Sequence, residues 1–213
     1  MSSKSSANKS RILKIVLVGD GGVGKSSLIT RYVKNEFNVN CFHTIGVEFL
    51  KKDVSYQGVT YALQIWDTAG QELFKSLRTP FYRGSDACFL TYSVDDENSF
   101  KNLQTWKEEF LQYAKIGEDQ SFPFVVLGNK VDIDPYERKV DLQTAVDYCD
   151  KQRILHFETS AKSSANVEAA FMKIVQTIAE FDRSNYLSSN TMKTSTINLQ
   201  KMEKKSDSER ACC

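Results

Sequence analysis

Residues 12–26 read I-L-K-I-V-L-V-G-D-G-G-V-G-K-S, and this stretch decides the fold. Ile12–Val18 is a short apolar run rich in β-branched residues, bounded by Gly19, and reads as a buried strand. Gly19–Ser26 fits G-x-x-x-x-G-K-[ST]. Lys25–Asn35 then sets Leu28, Ile29 and Tyr32 on one side of a helix. The motif needs a strand before it and a helix after it, and has both. Its glycines let the backbone curl, so that the N–H groups of Gly21, Gly22, Val23 and Gly24 turn inward toward phosphate oxygens. The helix start adds its dipole and its orphan N–H groups. Lys25 reaches the β- and γ-phosphates, the Ser26 hydroxyl suits Mg²⁺, and the Ser27 N–H reaches the α-phosphate. A glycine-rich turn with no ligand is the competing reading, and the strand–helix context argues against it.

The rest of the chain repeats the strand–helix rhythm. Val47–Tyr56 and Val59–Asp67 read as strands joined across Gln57–Gly58, a hairpin signal. Ala87–Val94, Phe122–Asn129 and Leu155–Thr159 read as buried strands. Ser99–Ala114, Asp141–Lys151 and Asn166–Phe181 read as helices. Strands alternating with helices predict an α/β, P-loop NTPase fold: a mostly parallel sheet with helices on both faces. Ligands bind such sheets at the carboxyl ends of the strands.

Two of those ends carry base-recognition chemistry. Asn129-Lys130-Val131-Asp132 follows the strand ending L-G-N. A carboxylate at Asp132 accepts from guanine N1–H and the 2-amino group, and adenine offers neither donor. An unpaired buried carboxylate costs several kcal/mol, enough for a discrimination of about 10⁴. Asn129 can brace the loop and reach N7, and the stem of Lys130 can cover the base. Alone, N-K-x-D is also an ordinary turn; at a strand end downstream of a phosphate loop it predicts guanine. Ser160-Ala161-Lys162 follows the next strand. The Ala161 N–H can donate to guanine O6, with Ser160 and Lys162 ordering the loop. Alone, that stretch reads better as a helix-capping serine before Asn166. Phe37 either stacks edge-on against the base or is a core residue after the first helix.

D-T-A-G-Q-E-L-F, residues 67–74, supplies the remaining chemistry. Asp67 can hold Mg²⁺ through a water and orient Ser26. Gly70 offers an N–H to the γ-phosphate. Gln71 is neutral and a poor base, so its catalytic part is to position the attacking water. Thr44 is the second hydroxyl candidate for Mg²⁺ and the γ-phosphate. No arginine stands ready in cis, so hydrolysis should be slow until a partner supplies the charge, a gain of about 10⁵.

The bulk numbers narrow the class. The chain has 213 residues, with Lys+Arg 28 against Asp+Glu 27, which argues against general nucleic-acid binding. No apolar run is long enough for a spanning helix. Residues 1–11 read as a polar, disordered arm, 12–183 as the single domain and 184–213 as a flexible tail. Cys41, Cys88 and Cys149 have no metal or disulfide spacing. Cys212 and Cys213 close the chain and are either inert thiols or lipid attachment sites.

Together these motifs resemble the Ras-like small GTPases over roughly residues 12–181, and within them the Rabs. Ile45–Phe49, Leu63–Glu72 and the terminal Cys212-Cys213 carry the likeness. Phe42–Leu50, Ser76–Asp86 and Ser121–Lys130 look most like the Rab subgroup numbered nine, with the subgroup numbered seven second. The resemblance implies six strands, one of them antiparallel, and five helices. It implies a monomer that cycles between GTP and GDP under an exchange factor and a GTPase-activating protein. It implies an escort protein or GDP dissociation inhibitor, and effectors on residues 38–49 and 70–84. Geranylgeranyl groups on Cys212 and Cys213 would hold it to the cytoplasmic face of endomembranes, from late endosome to trans-Golgi, with passage through the cytosol. Two lipids suit stable anchoring, since one chain is marginal. The tail's five basic side chains against three acidic make it a tether rather than a polybasic anchor. Competing readings are a scaffold that holds nucleotide with little turnover, a lysosome-directed Rab, and a P-loop kinase, for which neither acceptor pocket nor arginine-rich lid is visible. Rabs usually carry arginine after the Gln-Glu pair; this chain has Leu73, which bears on partner choice.

Overall fold

The computed structural model describes residues 10–39, 44, 47–70, 75–117, 122–181 and 183. Compactness divides the chain into two units, Met1–Val175 and Gln176–Cys213. Of the second, the described residues are helical. In the first, six strands form one sheet: β1 (Ser10–Val18), β2 (Val47–Tyr56), β3 (Val59–Thr68), β4 (Ala87–Ser93), β5 (Phe124–Asn129) and β6 (Leu155–Glu158). Their order is β2-β3-β1-β4-β5-β6. All neighbours run parallel except β2 and β3, which pair antiparallel from Val47↔Thr68 to Tyr56↔Val59. Gln57 and Gly58 both take positive φ, 50° and 76°, the backbone of a two-residue hairpin turn.

The helices are α1 (Lys25–Lys34), α2 (Lys75–Arg78), α3 (Glu97–Lys101), α4 (Leu103–Ala114), α5 (Leu142–Gln152) and α6 (residues 167–181). On one face, Val16, Val18, Leu90, Tyr92 and Val126 pack with Leu103, Trp106 and Phe110 of α4 and Ala145 and Cys149 of α5. On the other, Phe171 stacks on Tyr32 of α1 at 3.9 Å and meets Phe89 of β4 at 4.8 Å. β4 is buried along its whole length and β1 over Ile15–Val18, as central parallel strands are.

The elements follow the expected ones, with two differences. The helix expected over Ser99–Ala114 begins earlier, where Asp96 accepts from the N–H groups of Asn98 and Ser99, and breaks at Asn102. There the Asn102 amide turns to donate to the Asp20 carboxylate of the phosphate loop at 2.7 Å. The short α2 and the 3-10 turn Thr79–Phe81 have no sequence periodicity to predict them; they are held by contacts to α4.

Candidate functional site

A cavity of about 320 Å³ opens at the carboxyl ends of the strands. The β1–α1 loop forms its floor. Gly19 takes φ 144°, and a Cβ there would lie 2.1 Å from the Thr91 carbonyl oxygen. Gly24 takes φ 97°, and its Cβ would lie 2.3 Å from Asn129 Nδ2. Both positions therefore demand glycine. Gly24 also caps α1 without a side chain, so no cap competes for the first-turn N–H groups. Lys25 is buried, and its Nζ donates to the carbonyls of Gly19 (2.6 Å) and Asp20 (2.8 Å). Burial lowers its pKa to about 8, against the pull of Asp67 and Asp20. Outside the loop, Trp106 Nε1 donates to Asp20 Oδ1 at 2.6 Å, so α4 grips the loop by its one acidic side chain.

Three oxygen groups converge beside the floor. The Ser26 and Thr44 hydroxyls are 2.7 Å apart, and Thr44 donates to Asp67 Oδ2 at 3.3 Å. Asp67 is 3% exposed, and burial raises its pKa even though Ser26, Lys25 and Thr44 favour the charged form. Its Oδ1 is buried with no hydrogen-bond partner among the described residues. A buried orphan carboxylate oxygen next to two hydroxyls is the donor set of a hard cation. Gly70 lies against the loop backbone; a Cβ there would come within 2.5 Å of Gly21 N.

The base end is built from β5 and β6. Asn129 is buried and laces three segments together. Its Nδ2 donates to the Val23 carbonyl at 2.8 Å, and its Oδ1 accepts from the Ala161 N–H at 3.3 Å and Thr159 Oγ1 at 3.5 Å. Ser160 Oγ donates to Asp132 Oδ1 at 2.5 Å, and the Ser163 N–H donates back to Ser160 Oγ at 2.9 Å. Lys162 lies 3.7 Å from the other Asp132 oxygen. Lys130 takes a left-handed φ of 69° and points its ammonium at Asp95, 3.5 Å away.

Gly21, Gly22, Gly24, Lys25, Ser26, Ser27, Phe37, Thr44, Gly70, Asn129, Lys130, Asp132, Ala161 and Lys162 all line the one cavity. Val23 and Ser160 are buried behind its wall and Asp67 beside it, acting through bonds to lining groups. Gln71, Leu73, Cys212 and Cys213 lie outside the described residues. Sequence reasoning missed Asn38, Val39 and Thr68 on the cavity wall and Arg31 behind it. It also missed an aromatic patch of Phe49, Trp66 and Phe81, with ring centroids 5.0 and 5.4 Å apart in succession. Phe49 and Phe81 are 45% and 38% exposed. Arg31 gives no local signal of a part in the site, because its partners in the base loop are 130 and 131 positions away. An alternating strand with phenylalanine on its outer face was the available signal for the patch.

A phosphate loop at the sheet's switch point, two hydroxyls on a buried carboxylate and a base loop carrying N-K-x-D define a P-loop GTPase. The model of the Ras family matches residues 14–180. The chain is 54% identical over 209 residues to the Ras-related protein Rab-9A of Homo sapiens, covering 97% of this chain and all of that one. It is 54% identical over 173 residues to Rab-9B of Homo sapiens, covering 81% and 85%. It is 45% identical over 172 residues to the Ypt/Rab-type GTPase avaA of Emericella nidulans, covering 80% and 84%. The chain belongs to the Ras family, and its relatives group it with the Rab-type small GTPases of the Rab-9 subgroup. It is a GTP hydrolase that binds GTP and GDP. As a Rab it works at endomembranes with an exchange factor, a GTPase-activating protein, a GDP dissociation inhibitor and effectors.

Proposed function

We propose that the chain is a slow GTP-hydrolysing switch that directs vesicle traffic from late endosomes to the trans-Golgi. The observation that carries the switch is the convergence of Lys25, Thr44, Gly70 and Asp132 on one cavity. In this reading the N–H groups of residues 21–24 and Ser27 bind phosphate oxygens. Lys25 exchanges the Gly19 and Asp20 carbonyls for the β- and γ-phosphates, regaining full charge as it does. Asp132 accepts the two guanine donors, the Ala161 N–H turns from Asn129 to O6, and Phe37 edges the base. Ser26, Thr44 and Asp67 would hold Mg²⁺, which supplies neutralising charge to the β- and γ-phosphates when bound. Thr44 and Gly70 sense the γ-phosphate, lying three and two residues from the end of the β2–β3 hairpin. Gln71 orients the attacking water.

Effectors read residues 38–49 and 70–84, and the Phe49–Trp66–Phe81 patch supplies apolar area for that contact. The GTPase domain runs to residue 183, with 184–213 a tether; β1 begins at Ser10, so the chain enters the sheet two residues before the expected start at 12. Geranylgeranyl groups on Cys212 and Cys213 anchor the tether. Purified protein should carry guanine nucleotide, with GTP bound at least 10⁴-fold more tightly than ATP. Single-turnover hydrolysis should be slow and should be lost in Gln71→Leu with nucleotide retained. Equal hydrolysis by the two proteins would remove Gln71 from the mechanism, and equal competition by ATP would remove Asp132. A tagged full-length protein should colocalise with late-endosome markers, and Cys212→Ser/Cys213→Ser should leave the membrane while still binding GTP.

A further inference from the structure

Arg31 belongs to no nucleotide-binding motif, yet its guanidinium makes four hydrogen bonds to two parts of the site's frame. Nε donates to the Ala161 carbonyl at 2.7 Å, and one terminal nitrogen donates to the Lys162 carbonyl at 3.1 Å. The other donates to the carbonyl and to Oδ1 of Asn35, at 2.8 and 3.2 Å. Asn35 is the left-handed C-cap of α1, φ 57°. Two residues later the chain reaches Phe37 and Asn38 on the cavity wall. One planar cation thus staples the base loop to the exit of α1.

The staple acts on the group that reads the base. Ala161 is pinned from one side at its N–H by Asn129 Oδ1. Arg31 pins it from the other side at its carbonyl, and fixes the following carbonyl too. Residue 161 is then held on its carbonyl side, which limits the arc through which its N–H can turn from Asn129 toward a base in the cavity that it lines. A guanidinium suits this task because its donors are fixed in a fork; a lysine ammonium on a flexible stem cannot reach both segments at once.

We propose that Arg31 is a positioning residue for guanine recognition, fixing the Ala161–Lys162 backbone so that the Ala161 N–H meets O6 and the nucleotide leaves slowly. The inference rests on the guanine site proposed above. A base lacking a good acceptor at position 6 should therefore feel the loss of Arg31 less than guanine does. A base lacking only the 2-amino group, read by Asp132, should feel it as much as guanine does.

The test uses the full-length protein, with Arg31→Ala, Arg31→Gln and Arg31→Lys. Release of GDP, of 6-thioGDP (sulfur in place of O6) and of IDP (no 2-amino group) is timed for each. Arg31→Ala should release GDP about tenfold faster, the loss of charged hydrogen bonds that are partly solvent-exposed. Its preference for GDP over 6-thioGDP should shrink while its preference for GDP over IDP stays at the wild-type ratio. Arg31→Gln should fall between, and Arg31→Lys should not restore wild-type release. Unchanged GDP release, both preferences shrinking in proportion, or full rescue by lysine would each overturn the proposal. A wild-type protein that holds ADP as well as GDP would overturn the guanine reading itself. Guanine selectivity in wild type with no change in Arg31→Ala would overturn the role of Arg31 alone.

Discussion

Replacing Glu109 tests the least exposed charge pair among the described residues. The Arg78 side chain is fully buried, and donates from Nε and a terminal nitrogen to the two Glu109 oxygens at 3.1 and 3.2 Å. Tyr82 Oη donates to the same carboxylate at 3.2 Å, and the half-exposed Lys75 lies 3.0 Å away. Removing one partner of a buried pair costs about 3–5 kcal/mol. Arg78 also lies over the Trp106 ring, 4.4 Å from its centroid, a contact that survives the change. Glu109→Ala should therefore destabilise by about 3 kcal/mol, roughly a hundredfold in the folding constant. Glu109→Gln keeps the shape and one acceptor and should cost about 2 kcal/mol. Arg78→Met combined with Glu109→Leu should recover most of the loss, because neither charge is then buried. Urea unfolding at fixed, saturating GDP and Mg²⁺ measures all four proteins without a change in ligand linkage. Burial pushes the Glu109 pKa up, but the bonds and charge of Arg78 and Lys75 outweigh it and hold the carboxyl below its ordinary value. Its contribution is therefore complete above the unfolded value of about 4.3 and is lost as pH falls through the lower folded value. The gap between wild type and Glu109→Gln should close in that window. A loss under 1 kcal/mol for Glu109→Ala at pH 7, or a gap that ignores acid, would refute this account of how α2 is fastened to α4.

Three further outcomes are expected. The Lys25 pKa of about 8 lies below the unfolded value, so in the nucleotide-free protein its charge is a folding cost that fades between pH 8 and about 10.5, and stability should rise there. Over the same range GDP affinity should fall, as titration calorimetry would show, and Lys25→Met should abolish the slope. Gly24→Ala puts a Cβ at φ 97° and 2.3 Å from Asn129 Nδ2, so GDP affinity should drop at least about tenfold, read by fluorescent-nucleotide binding. Leu73→Arg should change the rate at which a matching GTPase-activating protein stimulates hydrolysis, measured by phosphate release, and leave intrinsic hydrolysis unaltered.

The elements that sequence reasoning placed well carry their own period or motif. Val47–Tyr56 is found at the expected residues, because its alternation and the Gln57–Gly58 turn fix both ends. The phosphate loop and the N-K-x-D segment were legible because glycine, lysine and aspartate have few other uses at strand ends. Ser26, Thr44 and Asp67 could be named individually, and the structure brings their oxygens together. What stayed hidden depends on partners far along the chain. The break at Asn102 answers to Asp20, 82 positions away, and the placing of Arg31 answers to Ala161. α2 has four residues, too few for a helical period to show, and its place comes from Glu109. Phe37, which the sequence left between base and core, is half-buried on the cavity wall.

The β2–β3 register has a consequence for timing. Val47 is rung to Thr68 and Glu48 to Asp67, so the segments bearing Thr44 and Gly70 spring from the same end of one ribbon. Ten cross-strand pairs lock that ribbon, and a slip of one residue would turn Leu63 and Ile65 out of the core. The two segments proposed to sense the γ-phosphate therefore share a common root that does not slide. They are arranged less like two separate latches than like the tines of one fork: displacement at the base of either is displacement at the base of both, and hydrolysis should release them as a pair.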